Sequence, residues 1–194
     1  MTKIRRSTVC VTLLATALVC VAPAAQLPTP AHQPPSPAVS QWNQNKEAVE
    51  RVLGTQGYDP PLSVDIVDAF ADNDHNLSVA LVATGQGGAY TDEIVALRLE
   101  RGVPVVARFR DAHRKPVPNA FLRGASVMHS KNVKLMPENR AVVDCSAESD
   151  SDGKPATCDA KAYVWNSRAK TFDLNRVLSK TISVEYCREL KYAP

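Results

Sequence analysis

Three oxygen-bearing side chains stand at alternate positions in FADNDHNLSVALVATGQGG, residues 70–88: Asp72, Asp74 and Asn76. Carboxylate and amide oxygens at this spacing are the hard donors that calcium collects. An EF-hand loop beginning at Asp72 needs glycine at its sixth position and glutamate at its twelfth; Leu77 and Ala83 stand there, which excludes that loop. A looser calcium site on a β scaffold is the metal expectation, with Asp72, Asp74 and Asn76 as ligands and Asp68 as a further donor. The favoured reading is that Asp and Asn form Asx-turns ahead of a strand, with calcium as the alternative. Asn76-Leu77-Ser78 is also a glycosylation sequon, with meaning only in a eukaryotic secretory host.

The densest basic stretch holds Arg98, Arg101, Arg108, Arg110, Arg114 and Lys115. Arg98, Arg108 and Arg110 are expected on the outward face of one hairpin. Such a face attracts an anionic polysaccharide or an acidic envelope protein, in a salt-sensitive manner. Against this, Glu93 and Glu100 lie close enough in sequence to balance a merely solvated face.

Three cysteines lie beyond residue 25: Cys145, Cys158 and Cys187. Cys145 and Cys158 flank SAESDSDGKPAT, whose Asp, Ser and Gly residues suit a turn. Strands pairing symmetrically about Ser151-Asp152 would set these two cysteines opposite each other, so a Cys145–Cys158 bridge is expected and Cys187 is left over. Zinc is a poor reading, because no C-x-x-C and no histidine at ligand spacing is present.

Other chemistry has thin support. Gly85-Gln86-Gly87-Gly88 lacks the G-K-[ST] that makes a phosphate loop. G-x-S-x-G and H-E-x-x-H are absent, and no Cys–His signature stands out. His113 and His129 fall in loop-like context, without a defined acidic partner.

The ends of the chain speak about location. Lys3, Arg5 and Arg6 precede the apolar run VCVTLLATALVCV, and Ala22-Pro23-Ala24 follows it. This order predicts a signal peptide over residues 1–24, cleaved after Ala24. The run is too short for a membrane span, which takes about 20 residues. The expected location is secreted or periplasmic, with no transmembrane span left after cleavage. The alternative is a lipid anchor on Cys20, for which Val19 is an unsuitable preceding residue. The leader holds three of the 23 lysines and arginines and none of the 20 acids. The remainder is formally neutral, so nucleic-acid binding by bulk charge loses its support.

LPTPAHQPPSPAVS, residues 27–40, carries five prolines in fourteen residues and predicts an extended linker over 25–40. Residues 41–194 suit a single domain. Within it, residues 43–53 carry helical spacing and Gly54 stands at their end. Most of the rest alternates with period two. Val64, Ile66, Asp68 and Phe70 predict a first strand; 77–83, 94–100, 103–110, 141–146 and 156–165 predict others. Glu100-Arg101-Gly102 reads as a hairpin turn. Residues 175–190 admit either a helix or a strand, and the alternation of Ile182, Val184 and Tyr186 favours the strand. The fold class is therefore mainly β (α+β): an antiparallel β-meander forming a curled sheet, barrel or sandwich, with a short N-terminal helix.

The succession of acidic loop, apolar strand, Gly-rich turn, YTDEIVALRLERGVPVVARF and CDAKAYVWNSRAKTFDL resembles a loose class of secreted bacterial β-domains of unknown function. The likeness spans residues 64–178. It departs where Leu77 replaces the usual glycine of the acidic loop. It implies a β-meander and an exported protein, and it transfers no catalytic residue.

The expected function is that of an exported, non-catalytic binding or structural accessory domain. Two other readings stand beside it: a small secreted hydrolase using Asp72, Asp74 or His75 near the Gly85–Gly88 rim, and an inhibitor of a secreted hydrolase that presents residues 111–119.

Overall fold

The period-two segments form a single large mixed sheet, and the apolar side chains on its two faces decide how it bends. The computed structural model describes residues 36–58, 64–72, 77–85, 91–125, 129–152 and 154–190. The leader and most of the linker lie outside these residues. No helix among the described residues is long and apolar enough to cross a membrane.

The strands are β1 (Asp65–Ala71), β2 (Ser78–Ala83), β3 (Thr91–Glu100), β4 (Val103–Val106), β5 (Phe109–Arg110), β6 (Pro116–Val117), β7 (Ala120–Ala125), β8 (His129–Met136), β9 (Ala141–Ser149), β10 (Pro155–Asn166) and β11 (Thr171–Leu174). Their spatial order is β1-β2-β3-β7-β8-β9-β10-β11-β5-β6, with β4 paired to the far end of β3. Neighbours run antiparallel except β11 and β5, which are parallel. The sheet does not close into a barrel, but it curls around one core. Phe109 of β5 meets Phe121 of β7 at 5.2 Å, Tyr163 of β10 at 5.3 Å and Phe172 of β11 at 5.2 Å. Strands far apart in the order thus share one aromatic cluster, with edge-on and stacked contacts that quadrupolar rings favour. Phe70, Leu81 and Ile94 from the other end of the sheet join the same core.

A bulge in β1 corrects the simple alternation of that strand. Ile66 pairs with Val82 but Asp68 pairs with Leu81, so Val67 is the extra residue. The extra residue reverses the pleat, as an inserted residue must. Val64 and Ile66 face outward onto the N-terminal helices, whereas Val67 and Phe70 face the inner core. The expected strand over 103–110 is likewise interrupted at Ala107 and Arg108, and Val103 is exposed.

Two helical caps cover the outside of the curl. The expected helix over 43–53 is in fact a pair, α1 (Pro37–Gln44) and α2 (Lys46–Gly54), broken at Asn45. Helix α1 reaches into the expected linker: the Ser36 hydroxyl accepts from the Val39 N–H at 3.2 Å, and Pro37 occupies the first turn. Proline is well placed there because its missing N–H would be unpaired anyway. Trp42, Val49 and Leu53 pack on Ala80, Val82, Val95 and Leu97 of β2 and β3.

The C-terminal segment is a helix, α3 (Arg176–Glu189), and not the expected strand. The Asn175 side chain caps it by accepting from the Leu178 N–H at 3.0 Å. Ile182, Tyr186 and Cys187 pack on Val143, Cys145, Ala160 and Ala162 of β9 and β10. Leu178, Ile182 and Tyr186 recur four positions apart, with Cys187 beside Tyr186, a helical stripe that the local alternation of Ile182, Val184 and Tyr186 hides. Val184 is partly exposed to solvent.

The expected Cys145–Cys158 disulfide is also corrected. Cys158 bonds to Cys187, with Cα atoms 5.8 Å apart, and Cys145 is a buried free thiol. The hairpin register explains the difference: Cys158 stands opposite Ala147, and Cys145 opposite Ala160. The two cysteines share a face but sit on a diagonal, where Cα separations of about 7–8 Å exceed what a disulfide spans. Helix α3 supplies the better partner.

Candidate functional site

Three turns at one end of the curl each place a cationic residue in the left-handed backbone region. Arg101 (φ 54°) with Gly102 (φ 81°) joins β3 to β4; Arg140 (φ 50°) joins β8 to β9; Lys170 (φ 53°) joins β10 to β11. Non-glycine residues avoid this region because Cβ crowds the backbone. All three residues line one cleft of about 650 Å³, together with Arg98, Asp72 and Glu100. Four cations thus face two carboxylates.

Arg98 forms the floor. Its residue is only 5% exposed, which is rare for a charged side chain without compensation. The guanidinium donates to Glu100 Oε2 at 2.7 Å and lies 5.6 Å from the centre of the Trp165 ring. That geometry combines a charge-assisted hydrogen bond with a cation–π contact. Lys170 Nζ donates to Glu100 Oε1 at 2.9 Å. Lys170 and Arg98 together hold the Glu100 carboxyl down to about 2, so it stays ionised at any working pH. Arg101 makes no ion pair with a described residue.

Arg140 closes the opposite wall. Its guanidinium pairs with Asp72 Oδ2 at 2.9 Å. Its carbonyl accepts from the Trp165 N–H at 2.9 Å, which ties this turn to the aromatic wall. The Nε atoms of both Arg98 and Arg140 are buried without an acceptor. Each guanidinium therefore uses only part of its fork. Arg110 shows the contrast, because its Nε and one terminal nitrogen each donate to Asp173 at 2.7 Å.

These contacts place the residues expected from sequence. Asp72 Oδ1 accepts from the Leu77 N–H at 3.0 Å, and its own N–H donates to the Leu77 carbonyl at 2.8 Å. With Oδ2 on Arg140, Asp72 serves as a loop clamp and an ion-pair partner. Asp74 and Asn76, the other two expected calcium ligands, lie outside the described residues, as do His75 and the glycines at 87 and 88. Among the described residues no group of three or more His, Cys, Asp or Glu side chains converges.

The expected common outward face of Arg98, Arg108 and Arg110 is corrected. Arg98 is buried, and Arg108 is exposed in the short link between β4 and β5. Arg110 is taken up by Asp173, which also accepts from Asn166 and Thr171 at 2.8 Å each. Burial pushes the Asp173 carboxyl up, but these donors outweigh it and bring it down to about 2. The link at Ala107 and Arg108 breaks the strand, so period-two counting from Arg98 to Arg110 fails. Residues 111–119 close on Asp111, whose Oδ1 accepts from the N–H groups of His113 and Lys115.

Arg140, Lys170 and Trp165 were not singled out by spacing. The sequence signal at Arg140 and Lys170 is a basic residue where a tight turn ordinarily carries glycine or asparagine.

Beside this cleft lies a second, of about 600 Å³, bounded by Asn166, Asp173, Asn175 and Arg176. Trp165 and Ser167 belong to the walls of both. Compared with family models, curated proteins and solved structures, the chain matches none. Function is therefore read from the site.

Proposed function

We propose that this protein is an exported, non-catalytic binding or structural accessory domain that takes an anionic partner in the Arg98–Arg140–Lys170 cleft. The observation that carries the reading is the excess of cations over carboxylates around that cleft, with three of the cations held on left-handed turns. Backbone strain persists where a structure over-determines it, and it clusters at binding sites. A concave rim with an excess of one charge sign concentrates field lines and draws in oppositely charged ligands. The basic n-region and apolar run of residues 1–24 support export to a secreted or periplasmic location, and a disulfide accords with an oxidising compartment.

Titration calorimetry of residues 25–194 with dextran sulfate and with neutral dextran tests the reading. Binding of the sulfated polymer alone is expected, weakening steeply with salt. Arg101→Ala combined with Lys170→Ala is expected to weaken it about tenfold or more, equivalent to about 1.4 kcal/mol. Equal binding of both dextrans, or of neither, overturns the anionic reading. Saturable turnover of a substrate by the same preparation overturns the non-catalytic one.

A further inference from the structure

The two clefts share a wall, and their chemistry differs. The first carries the cationic excess. The second offers the Ser167 hydroxyl and the amide hydrogens of Asn175, whose Oδ1 is taken up by the Leu178 N–H, beside the base Arg176 and the acid Asp173. Asp173 is already neutralised by Arg110. A ligand that lies across Trp165 and Ser167 therefore meets four cations at one end, and Arg176 beside amide and hydroxyl groups at the other.

We infer that the groove formed by the two clefts binds an extended acidic polysaccharide, with a carboxylate-bearing sugar in the Arg98–Arg140–Lys170 cleft and a following unit beside Asn166 and Asn175. This rests on the anionic reading of the first cleft. Sugar hydroxyls both donate and accept, which matches amide and hydroxyl side chains. The Arg98 and Arg140 guanidinium groups line the cleft as planar donors of the kind that pair with a carboxylate. An acidic peptide fits less well. Extended peptides gain affinity by adding to a free strand edge. The first cleft is rimmed by turns, and the nearby outer edge of β10 at Ala160 and Ala162 is already bonded to α3.

The combined volume suits a chain of several units, since sites for single small ligands run about 300–1,000 Å³. Ser167, exposed on the shared wall, is the point at which a bulky side chain blocks passage.

The test titrates residues 25–194 with galacturonate, tetragalacturonate, its methyl ester and tetraglutamate. Tetragalacturonate is expected to bind at least about tenfold tighter than each of the other three. Ser167→Phe is expected to remove the gain from monomer to tetramer. Quenching of tryptophan emission supplies a second readout: of the two tryptophans, Trp42 of α1 is fully buried against β2, so a change reports Trp165. Tetraglutamate binding as tightly as tetragalacturonate overturns the polysaccharide and leaves the anionic cleft standing. Equal affinity for monomer and tetramer overturns the extended groove. Failure of dextran sulfate and all four probes to bind removes the anionic reading as well.

Discussion

The Ser183 hydroxyl on α3 accepts a hydrogen bond from the backbone N–H of Ala160 on β10, at 2.8 Å. One helical turn earlier, Ser179 accepts from the Ala162 N–H at 2.9 Å; one turn later, Cys187 is bonded to Cys158. Four helical residues advance about 6 Å and two strand residues about 6.6 Å, so the stripe 179-183-187 keeps step with 162-160-158. Helix α3 thereby covers the part of the β10 edge that β11 leaves unpaired, since β11 pairs with β10 only from Tyr163 to Asn166. An uncovered edge of this kind is an aggregation hazard.

Removing the two hydroxyls together, Ser179→Ala and Ser183→Ala, strands two backbone donors beneath a helix. Each such donor costs about 1–3 kcal/mol when no water replaces the lost acceptor. The double variant is expected to unfold at lower urea concentration and to exchange the Ala160 and Ala162 amide hydrogens faster than wild type. Protection unchanged at both amides would show that the helix does not hold this edge.

The disulfide closes the last rung. Cys187→Ser is expected to lose about 2–4 kcal/mol, the usual range for a bridge closing a loop of this size. Cys145→Ser is expected to change stability far less than that, and to leave the bridge intact. Non-reducing peptide mapping should recover Cys158 joined to Cys187. Burial pushes the Cys145 thiol up to about 11, so it should resist alkylation until the protein is denatured. A recovered Cys145–Cys158 peptide would contradict the register of the β9–β10 hairpin.

Lys170→Gly separates stability from binding. Glycine adopts φ of 53° without the Cβ clash, which is worth about 1 kcal/mol. The lost ion pair to Glu100 is exposed and contributes little. A thermal midpoint equal to or above that of wild type is expected, with weaker binding of dextran sulfate. This is the trade-off expected where a strained site serves binding. A lower midpoint with unchanged affinity would make Lys170 a structural residue.

Stability against acid follows from the carboxylates. Asp173 and Glu100 are both held down to about 2, below their ordinary values near 4. The unfolded chain takes up these protons first as pH falls. Their contribution is therefore complete above about pH 5 and is lost between there and about pH 2. Asp68 and Asp144 run the other way, because burial raises both and favours their protonated forms. Asp173→Asn is expected to lower the urea midpoint at pH 7 and to flatten its fall between pH 5 and pH 2. A fall as steep as in wild type would assign the acid sensitivity to other groups.

Period two or a short apolar run marked β1 to β5, β9 and β10, because strands that bury one or both faces show it locally, whereas β7 (Ala120–Ala125) carried no such mark. The Glu100-Arg101-Gly102 turn was legible because its glycine supplies the positive φ locally. Where reading by local pattern failed, a distant partner had decided the outcome. Ser36-Pro37 looked like linker among five prolines, yet Trp42 buried against β2 with its indole N–H on Ser78 holds that turn as helix. Residues 176–189 are a helix because β10 offers an unpaired edge, a fact that lies outside those residues.

By itself, then, the sequence determined the β-rich class, the hairpins, and the basic and cysteine residues available for use. Tertiary structure decided which of them meet. A single bulged residue, Val67, reverses a face, and an offset of two residues moves Cys158 from Cys145 to Cys187. The curl of the sheet, driven by burial of the Phe109 cluster, brings turns some 30 to 40 residues apart in sequence to one rim. Register, bulge and curl are set by the summed packing of the whole sheet, and no stretch of ten residues contains them.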